Sequence, residues 1–206
     1  MTILLLAGSP SIPSRSTLLL THVGERLAQL GHRYSMLHVL DLPAEALLHV
    51  NVSNADIKQA RAQVAQAEAV IVSTPVCKAA YSGILKAFLD VLPQDGLAGK
   101  LVLPLATGGG LSHMLALDYA LRPVLSALGA RHILPSIYAT EAQINWSAEQ
   151  GITLDPMIAR RIDEGIEHLF ANLPASRVPA TEGFSSVPLS RVRSGSHVRM
   201  ASEFSL

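Results

Sequence analysis

The sequence predicts an α/β protein built on a five-stranded parallel sheet with helices on both faces. Three observations lead there. Short apolar runs alternate with longer stretches of helical periodicity, the pattern of βαβ crossovers. The runs are apolar throughout and do not alternate in and out, as strands buried on both faces require. Hydrophobic residues make up 49% of the 206 residues and charged ones only 16%, so the chain can cover such a sheet.

The elements follow in order. Ile3 to Ala7 is the first strand. Arg15 to Leu30 is a helix, with Leu18, Leu19, Val23, Leu27 and Leu30 on one face and Gly31 as its stop. Tyr34 to Val39 reads as the second strand. Asn54 to Gln66 is helical, capped by Ser53 or Asn54. Ala69 to Ser73 is the third strand, Gly83 to Leu92 the next helix, and Leu101 to Ala106 the fourth strand. Leu111 to Leu128 reads as one long helix that must absorb Pro123, ended by Gly129. Ile133 to Ala139 is the fifth strand. Pro156 to Leu173 is the last helix, with Asp155 as N-cap and Pro156 in its first turn. Residues 1–174 therefore form one domain. The segment 175–206 is Ser/Pro-rich without periodicity, and from Arg177 onward it holds four Arg against two Glu; a flexible tail is expected. Right-handed crossovers leave two strand orders, that of dinucleotide-binding domains and 2-1-3-4-5.

Composition excludes several functions. Sixteen basic and sixteen acidic residues cancel, and basic residues do not interleave with aromatics, so no nucleic-acid partner is expected. One cysteine excludes a disulfide framework, and the eight scattered histidines offer no metal set. No apolar run approaches the roughly 18 residues of a membrane span. The opening run lacks the basic flank of a signal peptide, and a cytoplasmic location is expected.

In an open parallel sheet ligands bind beyond the carboxyl ends of the strands. The first such turn is Gly8-Ser-Pro-Ser-Ile-Pro-Ser-Arg-Ser-Thr17, with five hydroxyls and one guanidinium around a helix start. It is neither Gly-x-Gly-x-x-Gly nor a Walker A loop. It suits a phosphomonoester, and it suits equally a loop that only caps a helix. After the third strand comes Thr74-Pro-Val-Cys-Lys-Ala-Ala-Tyr-Ser-Gly83, whose backbone can line a flat heteroaromatic ring, or which is a plain connection with Ser82 as helix cap. Cys77 reads as a small buried filler and not as a nucleophile, and Lys78 as a solvated lysine. After the fourth strand comes Thr107-Gly-Gly-Gly-Leu-Ser-His113, where glycines let a ligand approach the backbone. His113 either donates to a ring carbonyl or packs as an ordinary histidine.

Taken together, these turns resemble the flavodoxin-like NAD(P)H-dependent FMN reductases. Leu6 to Ser16 resembles that family's FMN-phosphate loop, and Thr74 to Gly83 and Pro104 to Gly110 its flavin-ring loops. One departure is Cys77, where the family commonly has Tyr in Pro-Val-Tyr-Lys. The likeness covers residues 1 to about 173 and implies the flavodoxin-like order 2-1-3-4-5. It implies Ser9, Ser14, Arg15, Ser16 and Thr17 on the FMN phosphate. It implies Pro75, Val76, Cys77, Lys78, Tyr81 and Ser82 along one edge of the ring, and Thr107, Gly108, Gly109 and His113 along another. It implies NADPH or NADH as the reductant, and no side chain is expected to be a catalytic acid or base, because the cofactors would carry the hydride transfer. Asp118-Tyr-Ala-Leu-Arg-Pro123 is similar to the subgroup that serves alkanesulfonate monooxygenases in sulfur acquisition. There the counterpart of Tyr119 is an inserted residue in a π-bulge at a tetramer interface. The resemblance thus implies a homo-oligomer, dimer or tetramer, and a flavin-dependent monooxygenase as partner. Two alternatives stay open: a quinone, azo or metal-ion reductase that retains FMN, and a non-catalytic flavodoxin-like binding module.

Overall fold

A computed structural model describes residues 2–147, 149 and 151–172. The expected tail at 175–206 lies outside them. The central sheet has β1 (Ile3–Ala7), β2 (Tyr34–His38), β3 (Ala69–Cys77), β4 (Ala80–Tyr81), β5 (Leu101–Gly108), β6 (His132–Ile133) and β7 (Ile137–Thr140). Its order is β2-β1-β3-β5-β6, with β7 continuing beside β5 and β4 folded back on β3. This is the flavodoxin-like order, since β5 and the β6–β7 pair occupy the places of the fourth and fifth strands. All pairs of the main path are parallel, with Ile3 opposite Tyr34 and Ala69, and Ala69 opposite Leu101.

Successive side chains of a strand point to opposite faces. Leu4 and Leu6 enter one core with Val70, Val72, Phe88 and Leu121. Ile3, Leu5 and Ala7 enter the other with Leu19, Val23, Ile162 and Ile166. The second face is covered by α1 (Arg15–Gln29) and α6 (Pro156–Asn172). The first is covered by α2 (Ala44–Leu48), α3 (Ala55–Gln66), α4 (Gly83–Asp90) and α5 (Arg122–Ala127). No helix among the described residues is long and apolar enough to cross a membrane.

The caps follow local chemistry. Asn54 accepts from the amides of Asp56 and Ile57, Ser82 accepts from Leu85, and Asp155 accepts from Met157. Gly31 and Gly129 close their helices at φ +82° and +86°.

Five expectations need correction. Leu30 is not on the apolar face of α1: the helix ends at Gln29 and Leu30 turns outward, while Leu20 takes the buried place. The helix read over 111–128 is three pieces. A 3₁₀ turn spans Leu111–His113, a π-helical turn spans Leu117–Leu121, and α5 begins at Arg122 with Pro123 in its first turn, where a missing N–H costs nothing. The fifth strand is split, because Pro135 cannot donate to a ladder and the chain leaves β5 between Ile133 and Ile137. The third strand does not end at Ser73 but runs on to Cys77. Cys77 is exposed, not buried. The reading also missed a β-hairpin, β8 (Ile144–Ser147) with β9 (Gly151–Leu154).

Candidate active site

The chain leaves β1 for β2 on one side and returns to β3 on the other. The carboxyl ends of β1 and β3 therefore part, which opens a crevice at this switch point. Three turns meet there.

The first turn runs from Gly8 into α1. Its base is fixed from below by buried hydroxyls. Gly8 N–H donates to Ser73 O at 2.8 Å, and Ser73 Oγ donates to Ser16 O at 2.8 Å. Ser82 Oγ donates to Gly8 O. Thr74 Oγ1 accepts from Ser82 N–H at 3.0 Å. A Cβ on Gly8 would lie 2.8 Å from Leu85 Cβ, so only glycine lets the turn sit this low.

Above this base α1 starts without a side-chain cap. Ser14 is its N-cap residue but makes no capping bond; its Oγ meets Ser16 Oγ at 2.9 Å. The first backbone bond of the helix is Leu18 N–H to Ser14 O at 2.9 Å, so the amides of Arg15, Ser16 and Thr17 precede the ladder. No acidic residue stands in the first turn. Aligned peptide dipoles place partial positive charge here, and the Arg15 guanidinium adds a full one. Arg15 Nη1 pairs with Glu141 Oε2 at 3.3 Å, with both side chains about half exposed. Such a pair contributes little and opens easily. Ser9 is buried, its Oγ 3.2 Å from Ser11 O and 3.3 Å from Ser11 N.

The second turn is a hairpin, not a loop. β3 carries Pro75, Val76 and Cys77 outward, Lys78 and Ala79 reverse the chain at φ +50° and +63°, and β4 returns with Tyr81. Two consecutive positive φ values make the tight reversal that matches strand twist. Tyr81 is half buried, and burial raises its phenol above the ordinary value, so it is neutral at physiological pH. Ser82 is 1% exposed with its hydroxyl bonded on both sides, to Gly8 O and from Leu85 N–H. It braces the two turns together, and its hydroxyl is not presented to the crevice.

The third turn leaves β5. Thr107 and Gly108 are buried, Gly109 is open, and His113 is exposed. Tyr138 on β7, which the sequence reading passed over, donates its hydroxyl to Gly110 O at 2.7 Å. A Cβ on Gly108 would collide with that same hydroxyl. Burial raises the Tyr138 phenol, and the hydrogen bond to Gly110 acts against that rise. Only the pairing of Gly108 with Thr140 across β5 and β7 reveals the clamp.

Beside the first turn lies a cavity of about 660 Å³, bounded by Ser14, Arg15, Leu18, Asn145 and Trp146. No group of three or more His, Cys, Asp or Glu side chains among the described residues is placed to hold a metal ion.

The donor set fits a flat-ringed phosphomonoester: an uncapped helix start, hydroxyls and one guanidinium at one end, and strand-edge backbone at the other. The comparisons agree. The model of the family described as NADPH-dependent FMN reductase matches residues 1–144. The chain belongs to the NADPH-dependent FMN reductase family.

An FMN reductase (NADPH) of Pseudomonas putida KT2440 is 41% identical over 184 residues, covering 89% of this chain and 93% of that protein. One of Escherichia coli K12 is 44% identical over 168 residues, covering 81% and 87%. The apo crystal structure of the NADH:FMN oxidoreductase EMOB matches with a TM-score of 0.76 at 39% identity, covering 85% of this chain and 91% of that one. The protein is an NAD(P)H-dependent FMN reductase, which removes the non-catalytic alternative.

Proposed function

We propose that the turn from Ser9 to Thr17 binds the FMN phosphate, and that the ring lies between the β3–β4 hairpin and the glycine turn. The observation that carries this is the uncapped start of α1 at the switch point. The amides of Arg15, Ser16 and Thr17, the Ser14 and Thr17 hydroxyls and the Arg15 guanidinium supply donors and no negative charge. Pro75, Val76, Cys77, Lys78 and Tyr81 border one side of the ring, and Thr107, Gly108, Gly109 and His113 the other. Cys77 and Lys78 contribute backbone there. Ser9, Ser16 and Ser82 shape the turn from beneath.

The flavin, when bound, supplies the redox chemistry by taking hydride from the nicotinamide. The chain binds and orients the two rings, a proximity effect. NADPH is the proposed reductant over NADH, in line with the names of the Pseudomonas putida and Escherichia coli relatives.

A single guanidinium and a few hydroxyls hold FMN loosely enough for it to leave. We infer that reduced FMN is handed, in the cytoplasm, to a flavin-dependent monooxygenase of the alkanesulfonate type. The likeness of Asp118 to Pro123 to that subgroup supports this, as does the π-helical turn at Leu117–Leu121. Tyr119 stands on that turn 78% exposed, beside exposed Leu111, Met114 and Leu115. Such a patch on a single chain suits burial against another copy, as a dimer or tetramer.

Aerobic NADPH oxidation with and without added FMN tests the reading. Turnover that requires added FMN, by protein left colourless after dialysis, is the expected result. Protein that stays yellow and reduces a quinone much faster than free FMN would establish the rival flavoprotein reductase.

A further inference from the structure

The cavity that Ser14 and Arg15 border extends past the groups proposed to hold the FMN phosphate, as far as Asn145 and Trp146. Pro13, Leu18 and Ile144 line it together with the first turn of α1 and Trp146. A volume near 660 Å³ lies within the range of small-molecule sites, and a mostly apolar lining with a few polar groups is their usual character. Trp146 lines the cavity from β8 and is 62% exposed, so its indole is accessible to a ligand. Asn145 adds an amide, both donor and acceptor.

Position gives the cavity its meaning. Thr140 pairs with Gly108 at the end of β5, and the 3₁₀ turn Glu141–Gln143 leads from it directly to Ile144. One short turn therefore separates the glycine turn from the cavity. A dinucleotide whose nicotinamide meets the flavin must seat its other end within reach of the crevice. That end is a purine, a ribose and phosphate.

We propose that this cavity is the seat of the adenosine-phosphate end of the nicotinamide dinucleotide. The purine stacks on Trp146, as bases do on indole faces. Arg15 and Glu141 meet the sugar and phosphate. Their half-exposed pair opens on binding; the carboxylate accepts from a ribose hydroxyl and the guanidinium donates to a phosphate oxygen. Arg15, with its five donors, thus borders both nucleotides. The proposal rests on the FMN reductase reading for the reductant's identity.

Trp146 is the single tryptophan of the chain, so its fluorescence reports this cavity alone. The full-length protein is titrated with AMP and, separately, with nicotinamide mononucleotide. A saturable change in Trp146 emission with AMP, and none with nicotinamide mononucleotide, is expected. An indole unmoved by AMP overturns the proposal. In steady-state assays Trp146→Ala should raise the KM for NADPH roughly tenfold more than the KM for reduced nicotinamide mononucleotide, the size of a lost base stack. Trp146→Phe should recover most of it. Equal changes for both reductants would overturn the seat. Protein that binds AMP at Trp146 yet cannot reduce FMN would contradict the reductase reading and leave the seat standing. Protein that reduces FMN with an indole blind to AMP would do the reverse.

Discussion

The turn that leaves β1 and the turn that leaves β5 face the same crevice, yet one is braced from beneath and the other is tied from the side. Under the first lie Ser73, Thr74 and Ser82, all buried, bonding Gly8 and Ser16 into one block with the start of α4. Past the β5–β7 ladder, which ends at Gly108 and Thr140, the second is tied by one phenol, Tyr138. Networks of satisfied buried polar groups rigidify, while one tether leaves a glycine turn free to adjust. The difference fits the tasks proposed for the two turns. A phosphate needs donors fixed in advance, whereas a ring edge that must admit a second ring benefits from give.

Substitutions can break or sharpen this contrast. The largest effect should come from Gly8→Ala. Its Cβ meets Leu85 Cβ at 2.8 Å, a side-chain atom bound to the backbone, and overpacking of this kind costs about 3 kcal/mol. Chemical denaturation would show it, and an unchanged midpoint would mean that the block is not rigid. Ser82→Ala should follow at about 2–3 kcal/mol by the same measurement, since it leaves both Gly8 O and Leu85 N–H without their partner in a buried place.

Tyr138→Phe should act differently. Stability should fall by about 1 kcal/mol, and the KM for FMN should rise with kcat nearly held, because the phenol positions the glycine turn without touching hydride transfer. A stability loss as large as that of Ser82→Ala would erase the contrast. The smallest effect concerns pH. Burial in α1 lowers the His22 pKa below 6.5, so the folded chain takes up this proton less readily than the unfolded one. Stability should be unaffected by this group above pH 6.5 and should decline as pH falls below it. His22→Gln should flatten that part of a stability-against-pH curve.

The sequence was informative where burial imposes one period. Ile3 to Ala7 and Ala69 to Ser73 are apolar on both faces because helices cover both, so the strands were legible, while their order was left between two arrangements that only the resemblance separates. The turn proposed to hold phosphate is visible in the sequence as a contiguous set of hydroxyls, arginine and following helix, but those residues suit a plain helix cap equally, and only the resemblance favours phosphate. Other features depend on contacts between distant residues. The run Leu111 to Leu128 carries helical spacing, but spacing does not tell α from π geometry at Leu117–Leu121; only the resemblance pointed to it. The β3–β4 reversal was missed because Lys78 and Ala79 are not the Asn-Gly pair that marks such turns. Tyr138 looked like a strand residue, and its role exists only because β7 sits beside Gly108. Ser82 was foreseen as a helix cap, yet its bond to Gly8, 74 residues away in the chain, is what removes its hydroxyl from the crevice.

The central claim is that the start of α1 reads a phosphate. Calorimetric titration of the protein with FMN and with riboflavin, which lacks only that phosphate, tests it most directly. FMN should bind at least roughly tenfold more tightly, the size of one or two charge-assisted hydrogen bonds, and Arg15→Ala should shrink the gap. Equal affinity for the two flavins would contradict the account.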